Sequence, residues 1–174
     1  MGMRRRAATE ESSDWPSLTP TPRRGLVRGS IIILDLDRFG DYVEEKGLSE
    51  YSPNDVTGLL SMEVERLAIK WGGVILYGLD WDRGTEEAVV EVPGVEAWEL
   101  KEDLVEIARK VCGEGASITI VAVTDYVGPA RPSGRRDAYK GSPGRVRALR
   151  TLNAMKRRGG GTIYIDGEVL RPCV

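Results

Sequence analysis

Hydrophobic and polar positions recur along the chain with two different periods, and these periods predict strands and helices in a definite order. Unbroken apolar runs rich in β-branched residues predict strands at about 30–37, 74–77, 88–92, 118–123 and 162–165. Helical spacing predicts a short helix over 39–46, a helix with Ser52 as N-cap that ends at residue 71, and a helix over 95–112. A last helix begins at Ser142-Pro143 and ends at the glycines 159–161. The segment 125–142 is predicted to be a loop.

The order of these elements predicts the fold class. A hairpin lies between two strand–helix units, which excludes a uniform doubly wound sheet. The order matches the split βαβ, ferredoxin-like arrangement with the first strand in the centre. We therefore predict one α+β domain over residues 29–174, with a mostly antiparallel sheet of about five strands and helices packed on one face. Residues 1–28 are rich in Arg, Ser, Thr, Pro and Glu, and we expect a disordered tail.

The first strand carries the most distinctive chemistry of the chain. Four aliphatic residues, 31–34, lead directly into Asp35 and Asp37. Side chains two apart on a strand share one face, so these carboxylates repel each other unless a cation lies between them. Oxygen-only ligation favours Mg²⁺ or Mn²⁺. The alternative is that one acid caps the next helix and the other is solvated. A second pair, Asp80 and Asp82, lies in the predicted hairpin.

Composition restricts the chemistry that is available. The 174 residues include no histidine, which argues against zinc sites and histidine-based triads. Cys112 and Cys173 are the only cysteines, and we expect free thiols in a reducing, cytoplasmic compartment. No apolar run is long enough to predict a membrane span. Catalysis would have to use carboxylates, lysine or arginine, hydroxyls, backbone amides or a metal.

Charge is unevenly distributed along the chain although the net charge is only −2. Residues 29–130 hold 8 basic and 21 acidic residues, whereas residues 131–158 hold 10 basic residues and one acid, Asp137. The basic segment either faces an anion or pairs with the acids of the domain itself. Nucleic acid is a possible anion, although Tyr139 is the only aromatic residue in the segment and offers little base stacking.

Three segments resemble the palm domains of nucleotide cyclases and polymerases. "LDLDRFGDY" is similar to the D-x-D-x-F start of GGDEF domains, and "GGVILYGLDWD" is similar to the strand that enters their hairpin. "RALRTLNAMKRRGGGTIYI" is similar to their last helix, with its lysine, glycine and closing strand. "LDRFGDY", the "LYGLDWD" hairpin and the basic last helix also resemble one repeat of the archaeal type III GTP cyclohydrolases. The resemblance covers about residues 29–166.

The resemblance implies a metal-dependent site for a purine nucleoside triphosphate. It implies Asp35, Asp37 and Asp80 as metal ligands for Mg²⁺ or Mn²⁺. Asp80 and Asp82 would be the catalytic acids. Phosphates would be bound by backbone amides and basic side chains: Arg38, Phe39, Gly40, Arg145, Arg147 and Lys156. The expected reaction on GTP or ATP is cyclisation, oligonucleotide formation or opening of the GTP ring. Because palm reactions often need two half-sites, a homodimer is expected.

Two other functions stay open at the level of sequence. The hairpin has the sequence Gly-Leu-Asp-Trp-Asp where GGDEF domains have Gly-Gly-Asp-Glu-Phe, so Leu79 replaces a glycine. This departure is compatible with a non-catalytic, nucleotide-binding regulatory module. "IIILDLD" also resembles the opening motif of haloacid-dehalogenase-like phosphohydrolases, with Asp35 as nucleophile and Asp37 as acid. That family requires further acids late in the chain, where Asp166 stands alone.

Overall fold

The computed structural model describes residues 25–128 and 131–174. The strands are β1 (Val27–Asp37), β2 (Val74–Tyr77), β3 (Glu87–Pro93), β4 (Ser117–Val127), β5 (Ile163–Ile165) and β6 (Glu168–Leu170). The helices are α1 (Phe39–Lys46), α2 (Asp55–Trp71), α3 (Lys101–Gly113), α4 (Arg135–Lys140) and α5 (Pro143–Arg157). A 3-10 turn, Ala97–Leu100, leads into α3.

The sheet has the order β2-β3-β1-β4-β5-β6, with the buried strand β1 near its centre. β1 runs antiparallel to both β3 and β4, and β4 runs parallel to β5. The predicted α+β, ferredoxin-like arrangement is therefore confirmed. The sheet has six strands rather than about five, because β6 forms a hairpin with β5. The sequence pattern missed β6 because its three residues, Glu168–Leu170, begin with an acid and form no unbroken apolar run of the kind that indicated β5.

Alternate residues of β1 face two separate hydrophobic layers. Ile32 and Leu34 pack with residues of α1, α2 and α3, which lie on one face of the sheet. Ile31 and Ile33 pack with residues of α4 and α5 on the opposite face. Strand side chains alternate between faces, so the unbroken apolar run in β1 is explained by burial on both sides.

The position of α5 has an unusual topological cause. The β3–α3–β4 and β4–α5–β5 connections start from strands of the same direction and move toward the same edge of the sheet. Their helices nevertheless lie on opposite faces. The two crossovers therefore have opposite hands, whereas the usual right-handed rule would place both helices on one face. This arrangement brings the basic helix α5 over the odd-numbered side chains of β1, including Asp35 and Asp37.

Two local predictions need correction. The N-cap of α2 is Asn54, which accepts hydrogen bonds from the amides of Val56 and Thr57 and forms a capping box with Thr57. Ser52 was predicted as the cap because Ser before Pro is a common helix start, but the amide oxygen of Asn54 satisfies the first turn directly. The predicted loop 125–142 contains the end of β4 and the short helix α4, which is too short to show helical periodicity.

The two cysteines are paired, which corrects the expectation of free thiols. Cys112, at the end of α3, forms a disulfide with Cys173, and their Cα atoms lie 6.2 Å apart. No local spacing pattern indicated the pair, because the two cysteines are 61 positions apart. Among the described residues, no helix has both the length and the apolar character needed to cross a membrane.

Candidate functional site

A lysine ammonium lies between the two carboxylates at the end of β1. Lys156 Nζ, in the last turn of α5, is 2.7 Å from Asp35 Oδ1 and 3.6 Å from Asp37 Oδ1. The same ammonium donates a hydrogen bond to the Leu36 carbonyl oxygen at 3.1 Å. A single cation thus contacts three oxygen atoms from consecutive residues of one strand. The contact between Asp35 and Lys156 results from the packing of α5 on this face of the sheet.

Asp37 is fixed by hydrogen-bond donors from the neighbouring strand and loop. Its carboxylate accepts hydrogen bonds from Ser117 Oγ and Thr119 Oγ1, both at 2.7 Å, and from the Gly161 amide at 2.9 Å. Gly160 lies so close that an added Cβ would come within 2.7 Å of the carboxylate. The predicted glycine run therefore ends α5 and also closes around Asp37, a contact that the sequence did not indicate.

Asp35 is the more weakly satisfied carboxylate of the pair. Burial raises its pKa above the usual range, and the hydrogen bond from Lys156 only partly offsets this effect. The negative charges of Glu87 and Asp37 raise the pKa further. A carboxylate in this environment gains more from an added cation than an exposed carboxylate does, since a cation would relieve both repulsions.

Glu87 is a site residue that the sequence analysis missed. It lies opposite Asp35 in the β1–β3 register. Its carboxylate accepts hydrogen bonds from Arg135 at 2.7 and 2.9 Å and from the Tyr139 hydroxyl at 2.6 Å. The acids Glu87 and Glu91 alternate with valines along β3, and acids on the buried face of a strand indicate buried cation partners. This alternation was the available signal.

The pH dependence of stability should reveal the Glu87 interactions. Burial alone would raise the pKa of Glu87, but the hydrogen bonds from Arg135 and Tyr139 outweigh it and lower the pKa below its ordinary value of 4.5. A lowered pKa in the folded state stabilises the protein above pH 4.5, and this stabilisation is lost as the pH falls through the folded-state value.

We therefore expect Glu87→Gln to destabilise the protein at neutral pH and to do so progressively less in acid. The measurement is the free energy of unfolding in urea across the acidic range, compared between the wild type and the variant. Subtracting the free energy of unfolding of the variant from that of the wild type at each pH cancels the contribution of the other titrating groups. A difference that stays constant down to the acid unfolding of the wild type would contradict the assigned interactions.

The β2–β3 hairpin positions Asp80 at the wall of a cavity. Asp80 Oδ1 accepts hydrogen bonds from the amides of Asp82 and Arg83, at 2.9 and 2.8 Å. The Asp80 side chain therefore stabilises the turn in which it lies. The cavity has a volume of about 260 Å³ and is lined by Tyr77, Gly78, Leu79, Asp80, Arg83, Gly84, Glu86 and Glu87. Glu87, which pairs with Asp35 in the β1–β3 register, is the residue that the cavity lining shares with the surroundings of the strand-end acids. Asp82 is exposed beside the cavity.

The turn from β1 into α1 has an uncommon backbone conformation. Arg38 is the N-cap, with φ of 45° and ψ of 45°, and its side chain caps no helix amide. Left-handed conformations at non-glycine residues cost about 1 kcal/mol or more and cluster at functional sites. Phe39 is buried and stacks on Tyr42, whereas Gly40 is exposed. The first amides of α1 thus lie directly beyond the acids of β1, in a geometry suited to anions.

Two of the predicted phosphate ligands lie elsewhere. Arg145 is buried and donates to Glu91 Oε1 at 2.7 Å. Glu87 is the residue of β3 opposite Asp35, and Glu91 is four residues further along the same strand. Arg145 therefore contacts β3 about 14 Å from the residue that faces Asp35. Arg147 contacts Asp125, which pairs with Gly29 at the opposite end of β1. The structure brings Asp35, Asp37 and Lys156 together, but not Arg145 or Arg147.

The oxygen atoms around Lys156 fit a divalent cation by their chemistry. Two carboxylates and a carbonyl form an oxygen-only set, which hard cations such as Mg²⁺ and Mn²⁺ prefer. Within residues 25–128 and 131–174, no group of three or more Asp, Glu, Cys or His side chains is arranged to hold a metal ion. Any cation here would therefore depend on the Leu36 carbonyl or on a ligand for part of its coordination.

Comparisons with known proteins give likenesses in structure only. No family model matches the chain, and no curated protein matches its sequence. The Csm1-Csm4 cassette in complex with cA3 aligns at 11% identity and a TM-score of 0.47, over 81% of this chain and 21% of that chain. The guanylyl cyclase Cya2 aligns at 18% identity and a TM-score of 0.39, over 80% of this chain and 75% of that chain. A bacterial light-regulated adenylyl cyclase aligns at 15% identity and a TM-score of 0.40, over 80% of this chain and 43% of that chain. The chain thus spans about a fifth of the matched cassette chain.

Proposed function

We propose that this chain is a cation-dependent nucleotide-binding domain whose site is the strand-end set of Asp35, the Leu36 carbonyl, Asp37 and Lys156. The observation that carries the proposal is that Lys156 occupies the position of a cation among these three oxygens. The ligand class is a purine nucleoside triphosphate, GTP or ATP, with Mg²⁺ or Mn²⁺. A divalent cation held by Asp35, the Leu36 carbonyl and Asp37 would neutralise triphosphate charge when bound.

The role of Lys156 in this proposal is to exchange partners. In the absence of ligand it neutralises Asp35, which limits the cost of burying that carboxylate. Its side chain is 28% exposed and flexible, so the ammonium can move to a phosphate oxygen when a nucleotide brings its own cation. The uncapped first turn of α1, at Arg38 to Gly40, offers backbone amides to the same phosphates.

Binding is favoured over turnover by the state of the two β1 acids. The Asp37 carboxylate already accepts three hydrogen bonds. It therefore contributes negative charge to the site, but its two oxygens are not both free to bind a catalytic metal ion. Turnover is the second candidate, and the hairpin cavity that joins Asp80 to Glu87 favours it. In that case Asp80 and Asp82 would act in cyclisation, oligonucleotide formation or ring opening of GTP. Assembly as a homodimer stays a prediction.

A haloacid-dehalogenase-like mechanism receives no support from the placement of Asp166. Its carboxylate accepts hydrogen bonds from the amide and hydroxyl of Thr124, which pairs with Ser30 on β1. Ser30 is five residues from Asp35, or about 17 Å along the strand. The late acid that such a mechanism requires is therefore at the wrong end of the central strand.

The test exploits opposite effects of one substitution. Lys156→Met removes the internal cation, so we expect Mn²⁺ alone to bind more tightly and the nucleotide–metal complex to bind about tenfold more weakly, which corresponds to about 1.4 kcal/mol. Asp35→Asn should weaken the binding of Mn²⁺ alone and the binding of the nucleotide–metal complex. Binding is measured by calorimetry with ATP and GTP, with and without Mg²⁺ or Mn²⁺.

The matched control is Lys101→Met, which removes a lysine from an exposed pair with Glu168. This variant should bind like the wild type. If Lys156→Met, Asp35→Asn and Lys101→Met all bind metal and nucleotide equally, the site is in error. Incubation of GTP or ATP with the wild-type protein and Mg²⁺, followed by chromatography, separates turnover from binding, because a purely binding domain returns the nucleotide unchanged.

A further inference from the structure

The helix α5 carries two sets of cations with different environments. Lys156 and Arg145 point inward and are paired with acids of the sheet. Arg150 and Arg157 are exposed, and within the described part of the chain neither forms an ion pair. Pairing with the domain's own acids therefore explains the inward cations of this segment but leaves the outward cations unexplained.

The outward cations extend over both α4 and α5. Within residues 131–158, the exposed basic residues that form no ion pair with the described residues are Arg131, Arg136, Lys140, Arg150, Arg157 and Arg158. A shallow groove of about 580 Å³ joins the two helices and is lined by Lys140, Arg147 and Arg150 among others. We call this surface the α4–α5 basic face. The only acid in residues 131–158, Asp137, accepts a hydrogen bond from the Ser133 amide and packs against Gly141.

The spacing of these charges fits a regular row of negative charges. Arg150 and Arg157 are seven residues apart, so they lie on the same side of α5 about 10 Å from each other. Arg136 and Lys140 are four apart on α4, one turn from each other. A duplex carries one phosphate per about 1.7 Å of axis, so cations at these separations can each neutralise a different phosphate.

We propose that the α4–α5 basic face binds the phosphate backbone of nucleic acid without sequence preference. Charge complementarity carries the proposal, because the face combines a groove with unpaired cations and no free acid. An anionic membrane is less suited to this face, since the apolar residues of α5, including Ala148 and Leu152, are buried against the sheet. None of the large exposed hydrophobic side chains of the described residues lies between 131 and 158. An interfacial helix needs such residues for insertion.

The probe is a short fluorescent duplex of mixed sequence, titrated with the full chain in an anisotropy assay. If about four phosphates are neutralised, the affinity should fall on the order of a hundredfold between about 50 and 200 mM salt. The variant Arg150→Gln with Arg157→Gln should bind at least tenfold more weakly and should reduce the logarithmic salt slope by about 2. Arg150→Lys with Arg157→Lys keeps both charges and should bind nearly like the wild type.

The matched control is Lys46→Gln with Arg171→Gln, which removes the same charge from exposed positions outside the basic face. It should keep the wild-type affinity and salt slope. Equal weakening by the control and the Arg150 and Arg157 pair would overturn the proposal, as would a wild type that binds phosphatidylserine vesicles but no duplex. Saturating ATP with Mg²⁺ should leave duplex binding intact, and loss of binding under that condition would assign the duplex to the strand-end site instead.

Discussion

Replacing Arg145 with alanine should lower the free energy of unfolding by about 3 to 5 kcal/mol, which is the usual effect of removing one partner from a buried ion pair. Arg145 donates to Glu91 Oε1 at 2.7 Å and to the Asp137 carbonyl at 3.1 Å. Glu91 is only 2% exposed, and its Oε2 accepts no hydrogen bond from the described residues. Without Arg145 the carboxylate would remain in the apolar layer between β3 and α5 with no cation partner.

The measurement is urea unfolding of the wild type, Arg145→Ala and two controls. Arg147 lies on the same helix as Arg145 and forms an exposed pair with Asp125 of β4, so the effect of Arg147→Ala should stay below about 1 kcal/mol. Arg145→Leu combined with Glu91→Leu removes both charges, so it should recover most of the stability lost in Arg145→Ala. Equal destabilisation by Arg145→Ala and Arg147→Ala would show that the Arg145 pair is not buried in solution.

The elements with strong local signals were predictable from the sequence. β1 has a continuous apolar run because it is buried on both faces, and α1 spans the residues that its periodicity indicated. The N-cap at Ser142 and the proline at the start of α5 were also predicted from a serine followed by proline, whereas the same pair at Ser52 indicated the wrong N-cap for α2. These features depend on neighbouring residues alone, so the sequence determines them without knowledge of the tertiary structure.

The features that depend on tertiary packing could not be predicted in the same way. Asp35 and Lys156 are 121 residues apart, and their contact depends on which face of the sheet α5 covers. The right-handed rule would place α5 on the face of α3, away from the odd-numbered residues of β1. The observed crossover of opposite hand places Arg145 and Lys156 over Glu91 and Asp35 instead. A resemblance to palm domains suggested Lys156, but no local pattern suggested the buried role of Arg145.

Opening the disulfide should also destabilise the protein strongly. The Cys112–Cys173 bond closes a loop with a sequence separation of 61, and for a loop of this size its restriction of the unfolded chain should stabilise the fold by about 4 kcal/mol. The bond holds the segment after β6 against α3, where Arg109 also donates to the Pro172 carbonyl at 3.5 Å. This hydrogen bond is long and therefore weak, so the disulfide should be the main attachment of the C-terminal segment to α3.

The double variant Cys112→Ser with Cys173→Ser separates the bond from the reagent that breaks it. Dithiothreitol should lower the thermal midpoint of the wild type toward that of the variant, and it should leave the variant unchanged. Thiol titration under denaturing conditions should detect no free thiol in the untreated wild type. If the untreated protein has two titratable thiols, or if the reductant leaves its midpoint unchanged, the bond does not form or does not stabilise the fold. Because β6 is a three-residue edge strand directly before the tethered segment, amide exchange after reduction should rise first at Glu168–Leu170.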